Sequence, residues 1–455
     1  MKITLLYLFS AAFILSGCST KSPEKIETSR QIPAEFSRNG NAKLPEKWWQ
    51  HFGDERLSGL IEDALQDNFT IKAAYSRMEQ ARQNAVKAGA GKLPEVNYSA
   101  QGSRSRSKAM NETAYSNQFS AGLQASYEID LWKRIDASQK AAQKTFEASR
   151  QDLTAAKISL SADIAEVWYN LKAGLLEKQI IEKQVQTNLK SLETVRMQYR
   201  QGMANASDVH SQERLLEAAK GRLINAGKNV NLLENQLAVL LGREPKEFSA
   251  DPEAEIPKLP ALPEAGVPAT LLQRRPDLIS SLNSVRSADY SAAASIAQQY
   301  PSLTLTGSLS GADSDIEDVF DNWLGSIAAG LTGPLFDAGK REAEANRARA
   351  VLQERISSYR QNVITAVKDV EDALETEQRE NEYFRSLQKQ LEMAKKNTKS
   401  VKQQYINGQQ GYIYLLNAIE NQQELEISLV NSRLNLVKAR IALCRALAGG
   451  WEKSS

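Results

Sequence analysis

The 455-residue chain is poor in the residues that do chemistry. It has two Cys and two His. Two Cys exclude a disulfide framework, and His51 and His210 have no Cys partners with zinc-ligand spacing. It has little excess charge. Lys+Arg number 57 and Asp+Glu 55, a formal net charge of +2, so no strong field steers it to nucleic acid. A mean hydropathy of −0.46 excludes a bundle of membrane-spanning helices. No Gly-rich loop follows a strand, and the acids are spread over helix faces. No catalytic residue, metal ligand or cofactor site is therefore expected. Proline is missing from residues 95–244 and after Pro334, and the 68 residues between Gly339 and Gly408 contain neither Gly nor Pro.

The one long apolar run stands at the start. Lys2 precedes an apolar stretch from Ile3 to Leu15, too short to span a bilayer and suited to a secretory signal over residues 1–17. Its ending, Leu15-Ser16-Gly17-Cys18, resembles a bacterial lipobox. That resemblance implies acylation at Cys18, and Ser19 after it implies sorting to the outer membrane. Residues 18–46, with Pro23, Pro33 and Pro45, read as an extended lipidated tether.

Absent helix breakers permit very long helices. The Gly- and Pro-free tract would extend about 100 Å as one helix at ~1.5 Å per residue. The spacing predicts helices over about 135–200, 207–242, 339–406 and 412–448. In the first, Leu153, Leu160, Ile164, Val167, Leu171 and Leu175 recur at helical steps, followed by Val185, Leu189, Leu192, Val195 and Tyr199. Leu216, Ala219, Leu223, Ala226, Val230, Leu233, Leu237 and Leu240 step 3-4-3-4-3-4-3, as do Ile427, Val430, Leu434, Val437, Ile441 and Cys444 in shorter form. Such a/d seams argue for coiled-coil packing, with Cys444 a small buried apolar residue.

The halves repeat. Tyr199-Arg200-Gln201-Gly202 recurs 206 residues later as Tyr405-Ile406-Asn407-Gly408, and Pro94 and Pro301 are 207 apart. Two repeats, 47–245 and 271–450, flank a Pro-rich linker over 246–270, and 451–455 is a short tail.

A different period precedes each long helix. From Phe119 to Leu131 every odd residue is apolar and every even one polar or Gly, the mark of a strand. Strands are expected over about 94–106, 117–132, 301–311 and 322–336, with polar loops near 104–117 and 311–321. Apolar-out, polar-in strands of about ten residues suit a transmembrane β-barrel, and Phe119, Tyr127, Trp132, Trp323 and Phe336 suit its aromatic girdles. A half-buried sheet of a soluble domain alternates in the same way. The outer-membrane signal, and helices that already have seams of their own, favour the barrel. Four strands cannot close one, so several chains must share it.

Taken together, these features resemble the TolC-like outer-membrane efflux factors, lipoprotein branch. The residues carrying this are Trp48-Trp49, Phe52, Asp54 and Leu57, then Ala64-Leu65 and Asn68, Tyr127 to Trp132, Leu272 to Leu278, Pro301-Ser302-Leu303, and Pro334 to Asp337. The resemblance implies a mainly α fold with a small β part. Three protomers would form a twelve-stranded outer-membrane barrel continued by a periplasmic α-helical barrel. It also implies passive conduction of drugs, metals or other small molecules. The partners would be a periplasmic adaptor protein, an RND-type inner-membrane pump and outer-membrane lipid.

The family places the two Gly turns at the periplasmic tip, which makes Tyr199, Gly202, Asp208, Tyr405, Gly408 and Gln410 candidates for gate and adaptor contact. Asp208 suits an acidic ring in a pore. It equally suits the first turn of a helix capped by Ser207. Where the family often carries an acid near Gln410, this chain has none. Pro276 and Asp277 read as a helix start. Export of proteins or peptides through the same duct is an alternative. A non-conducting coiled-coil tether is a second, though it has no use for amphipathic strands.

Overall fold

The computed structural model describes residues 33–42, 45, 47–109, 112–245 and 255–450. The signal segment 1–17, Cys18, linker residues 246–254 and the tail 451–455 lie outside the described residues.

The chain runs α1 (Glu55–Asp67), α2 (Phe69–Ala90), β1 (Glu95–Ala109), β2 (Glu112–Ile129), α3 (Arg134–Arg200) and α4 (Ala206–Leu240). It continues α5 (Leu271–Arg274), α6 (Pro276–Ala297), β3 (Ser302–Asp313), β4 (Trp323–Thr332), α7 (Lys340–Ile406) and α8 (Tyr412–Ala446). The long helices α3 and α7 have 67 residues each, and α4 and α8 have 35 each. Equal lengths at a constant offset are what a duplicated unit leaves behind. Each repeat also places a 22-residue helix, α2 or α6, before its first strand. The apolar period predicts neither helix, although Pro276 and Asp277 mark the start of α6. Their buried faces rest on small residues, Ala81 and Ala85 in α2 and Ala288, Ala292, Ala294 and Ala297 in α6, which give a weak apolar signal.

Many of the motif residues hold the joints. Asp54 caps α1, accepting from the Leu57 N–H at 3.0 Å, and its carboxylate also receives the Trp168 indole N–H and the Lys172 ammonium, both at 2.9 Å. Burial raises its carboxyl, but these bonds outweigh it and hold Asp54 below the usual range. Asn68 caps α2 and reaches across to the Leu240 carbonyl at 2.8 Å. Asp130 accepts from the backbone of Ile135 and Asp136 at the start of α3, as Asp337 does from Gly339 and Arg341 at the start of α7. Pro276 is the first residue of α6. Arg275 before it bonds Asp277 at 2.7 Å and Asp369 at 3.2 Å.

The core lies at the middle of the long helices. Trp48, Trp49, Leu57 and Ile61 pack on Ile164, Trp168, Leu171, Leu237 and Cys444. Burial pushes the Cys444 thiol up to about 12, so it stays protonated and serves as packing. A second cluster joins Leu271, Leu278, Tyr359, Val363 and Leu374. It also takes in Phe36, which qualifies the tether reading of 18–46. Gly40 and Ala42 donate to the carbonyls of Pro263 and Leu262, and Glu264 donates back to Ala42. The end of that segment is therefore strapped to the linker by a buried aromatic and a short ladder.

The sheet is antiparallel in the order β1-β2-β3-β4. Directly opposed residues share a face, and the register aligns apolar residues across all four strands. The rows include Val96, Ala125, Gly307 and Ile327, then Tyr98, Leu123, Leu309 and Gly325. The opposite face carries Asn97, Gln124, Ser308 and Ser326 in one row. The apolar face is uncovered within the chain: Tyr98 and Ile327 are each 85% exposed.

Two expectations about the strands change. The ladder runs through Ala109 and from Glu112, so most of the expected loop 104–117 is strand. Arg104, Arg106 and Lys108 abolish the apolar period there, but backbone pairing does not need it. β4 in turn stops at Thr332, not near 336. Pro334 lacks the N–H that a ladder requires, and Leu335 and Phe336 lie beyond the sheet in the open.

Candidate functional site

The two Gly turns end the long helices identically. Gly202, at φ +73°, donates to the Tyr199 carbonyl, and Met203 donates to that of Gln198. Gly408, at φ +70°, donates to Tyr405, and Gln409 to Gln404. Both are Schellman motifs, which satisfy carbonyls a helix end leaves open.

The helices that leave the turns start differently. Asn205, not Ser207, caps α4. Asn205 and Asp208 form a reciprocal capping box, the Asn205 N–H donating to the Asp208 carboxylate at 3.0 Å. Ser207 lies inside the helix and is exposed. The box explains Asp208 locally and leaves it half-buried beside the second turn. In that turn Gly411 caps α8 with no side chain, and Gln410 is exposed.

The tips of the two coils pack together through Val195, Leu215, Tyr412, Leu415 and Leu416, with Val209 and Tyr405 against them. The Tyr405 hydroxyl donates to Gln198 at 2.7 Å, and its ring sits 5.2 Å from that of Tyr412. Burial, with the Asp208 carboxylate nearby, holds the Tyr405 hydroxyl above the ordinary tyrosine range. Burial does the same to Tyr412, helped by Tyr405 and Asp208. Tyr199, the repeat-mate of Tyr405, is 50% exposed and stands outside this cluster. The structure thus gathers Asp208 and Tyr405 but not Tyr199, Gly202, Gly408 or Gln410, which form the outer surface of the turns.

Sequence reading missed a buried polar layer just above the tip. Tyr412 donates its hydroxyl to Gln212, Gln212 donates to the Asn188 carbonyl at 3.0 Å, and Gln423 to the Asn188 side chain at 3.1 Å. Gln184 adds a bond to the Gln423 carbonyl at 3.1 Å. The seam of α3 here is Ile181, Gln184, Asn188, Leu192 and Val195. Val185 and Leu189, taken for seam residues, lie one position off it, and Leu189 is exposed. Polar residues at steps of three and four from Ile181 were the available signal.

At the sheet, Phe119, Tyr127 and Trp323 all lie on the apolar face. Phe119 and Trp323 stand towards the hairpin tips and Tyr127 towards the helices. Trp132 does different work. Its indole N–H donates to the Pro301 carbonyl at 2.7 Å and its ring stacks on Tyr300 at 4.8 Å, joining β2 to the start of β3. Cys18 lies outside the described residues. Among those described, no helix is long and apolar enough to cross a membrane.

Paired long helices joined to a four-stranded sheet recur in a solved structure, and the sequence has curated relatives over its whole length. The chain is 29% identical over 479 residues to the pyoverdine export outer membrane protein OpmQ of Pseudomonas aeruginosa, covering 99% of this chain and 98% of that one. It is 25% identical over 458 residues to the cation efflux system protein CusC of Escherichia coli O6:H1, covering 98% of each. Its fold matches the solved outer-membrane channel OprN with a TM-score of 0.87 at 23% identity, over 93% of this chain and 98% of that one. The family model for outer membrane efflux proteins matches residues 60–243 and 267–449, one stretch in each repeat, and the chain belongs to that family.

Proposed function

We propose that three copies of this chain close into one tube, the outer-membrane exit duct of a tripartite efflux pump. The observation that carries this is the four-stranded sheet. It has one continuous apolar face and two unpaired edges, β1 and β4. An open edge is not tolerated in lipid, and three times four strands is a barrel of ordinary size. The apolar rows of β2 run from Phe119 to Ile129. At ~3.4 Å per residue and a tilt of about 40° they subtend roughly 25 Å, the height of an outer-membrane band. The helices carry the same implication. Leu189, Met197, Tyr199, Ile224, Leu232 and Tyr383 are exposed apolar side chains on coils whose other faces are packed. A helix in a closed ring needs two seams, and neighbouring protomers supply the second.

In this reading cargo moves passively through a polar lumen, driven by an inner-membrane pump of the RND type. The two turns meet a periplasmic adaptor. Gate opening separates the coil tips that Tyr405 and Tyr412 hold together beside Asp208. The cargo is a small molecule or an ion, in keeping with the pyoverdine in OpmQ's name and the cation in CusC's. Acyl chains on Cys18 add anchoring of ~0.8 kcal/mol per buried CH₂.

The test is conduction by the purified full-length protein in planar bilayers, with its mass in detergent. A trimer that forms pores, more often when Tyr405 and Tyr412 are replaced by Ala, is expected. A monomer, or no conductance even in the loosened variant, overturns the reading. Mass spectrometry of the mature N-terminus should find acylated Cys18, and an unmodified terminus removes the anchor.

A further inference from the structure

The apolar face of the first hairpin ends at the pair Gly102 and Phe119. The same face continues with Arg104 opposite Asn117, Arg106 opposite Tyr115 and Lys108 opposite Thr113. Since opposed residues share a face, three cations follow directly on the apolar rows. They stand at i, i+2 and i+4, about 13 Å from first to last at ~3.3 Å per residue. The reverse face at this level carries Ser103, Ser105 and Ser107 opposite Gln118, Ser116 and Ala114, with no charge among them.

One ring holds two of the cations. The guanidinium carbons of Arg104 and Arg106 lie 5.3 and 5.7 Å from the centre of the Tyr115 ring. All three cations are exposed. Glu112 closes the first hairpin opposite Ala109, in the register of Ser103, Ser105 and Ser107 and not that of the cations. The other acids near in height, Asp313, Asp315, Glu317, Asp318 and Asp321, belong to the tip of the second hairpin. There the Asp313 carboxylate accepts from the N–H groups of Ser314 and Asp315. So the register rows of Arg104, Arg106 and Lys108 hold no acid on the first hairpin, and the three cations repel one another in line with the surface that meets lipid.

Both hairpins pass their open ends to helices, which puts the β1–β2 tip at the end of the molecule away from the coils. On the channel reading above, on which this inference rests, that end faces the cell exterior. The cations then stand at the headgroup plane of the outer leaflet, where charged side chains beside an apolar band meet anionic headgroups. We propose that Arg104, Arg106 and Lys108, with Tyr115 between them, bind the phosphate groups of the outer-leaflet glycolipid. Arginine forks match phosphate oxygens in pairs. The spread of the three cations suits a headgroup with more than one phosphate, and the Tyr115 ring offers a flat surface to a sugar.

The experiment measures lipopolysaccharide bound per full-length trimer in detergent by native mass spectrometry. Combining Arg104→Gln, Arg106→Gln and Lys108→Gln should weaken binding about tenfold or more, whereas Arg104→Lys with Arg106→Lys should retain most of it. Phosphatase-treated lipopolysaccharide should bind the unaltered protein as weakly as intact glycolipid binds the triple variant. Equal retention by the unaltered and triple-Gln proteins overturns the proposal, and so does equal retention of intact and dephosphorylated glycolipid. Binding to phosphatidylglycerol vesicles as tight as to lipopolysaccharide overturns the choice of glycolipid. Conductance in phospholipid bilayers is read in parallel. No pore from the unaltered protein is a failure of the channel reading, while pores with unchanged glycolipid retention sink this inference alone.

Discussion

The two coil tips, 206 residues apart, share one way of ending a helix and differ in how they begin the next. At the first turn a polar box, Asn205 with Asp208, organises the start of α4. At the second, Gly411 caps without a side chain, and the weight falls on Tyr412, which is buried and donates to Gln212 across the interface. Its equivalent in the first turn is Ala206, which is exposed. Tyr405 packs while Tyr199 faces outward. Duplication supplied two identical ends; the contact between them made one polar and self-contained and the other aromatic and dependent on its partner. Such a contact suits the gate proposed above, because an interface that two coils share can be broken without unfolding either.

The comparison is broken most severely by Tyr412→Ala. Losing a buried aromatic and leaving the Gln212 side-chain oxygen without its donor should cost about 3–5 kcal/mol locally, and should appear as raised conductance and faster amide exchange over 401–416. Ala206→Tyr should change neither. If both variants behave alike, the tips are not specialised.

The shared feature comes next. Gly202→Ala and Gly408→Ala place a Cβ at positive φ, costing roughly 1–2 kcal/mol each. Open space around both glycines leaves that strain as the cost. Thermal unfolding should show nearly equal losses. A marked inequality means that one turn is held by contacts beyond its own backbone.

A smaller effect follows from Asp208→Ala, about 1 kcal/mol of capping, together with more leakage of small antibiotics into cells. Installing Gly411→Asn with Tyr414→Asp gives the second turn a box of its own. The Gly411 backbone, at φ −72° and ψ 155°, accepts Asn. Permeability unchanged by Asp208→Ala leaves that residue with capping alone.

The smallest separates the tyrosines. Tyr405→Phe deletes the bond to Gln198, worth about 0.5–1.5 kcal/mol, while Tyr199→Phe should be silent. Both hydroxyls at the contact, Tyr405 and Tyr412, have their pKa raised on folding. The folded tip therefore holds protons that the unfolded chain has released once pH exceeds the ordinary tyrosine range, and stability falls as pH climbs. Unfolding followed through that alkaline range should flatten in Tyr405→Phe with Tyr412→Phe. An unaltered slope assigns the loss to other groups.

Much of this was legible beforehand for a physical reason. Helix and strand periods are properties of neighbouring residues, so the long helices α3 and α7 were found within a residue of their ends. The alternation from Phe119 onward marked β2. Legibility failed where the period was faint or interrupted. The Ala-rich faces of α2 and α6 left too little contrast, and Arg104 to Lys108 concealed a strand behind a loop-like composition. At the site, the pattern Asn205-x-x-Asp208 is a readable capping box, but Ser207, directly before the acid, competes with Asn205 for the cap until the backbone is seen. Asn188 and Gln184 were passed over because buried amides look like surface residues until their partners are known.

The sequence by itself determined the lengths of the long helices, the duplication, the two-faced strands and the need for further copies, since these follow from period, punctuation and the prohibition on open sheet edges in lipid. Only the tertiary structure decided which residues of an apolar or polar stripe are buried. It put Asn188 inside and Leu189 outside, and it packed Tyr405 while leaving Tyr199 exposed. Burial depends on what a residue meets across the fold, and two equivalent turns in one chain meet different neighbours.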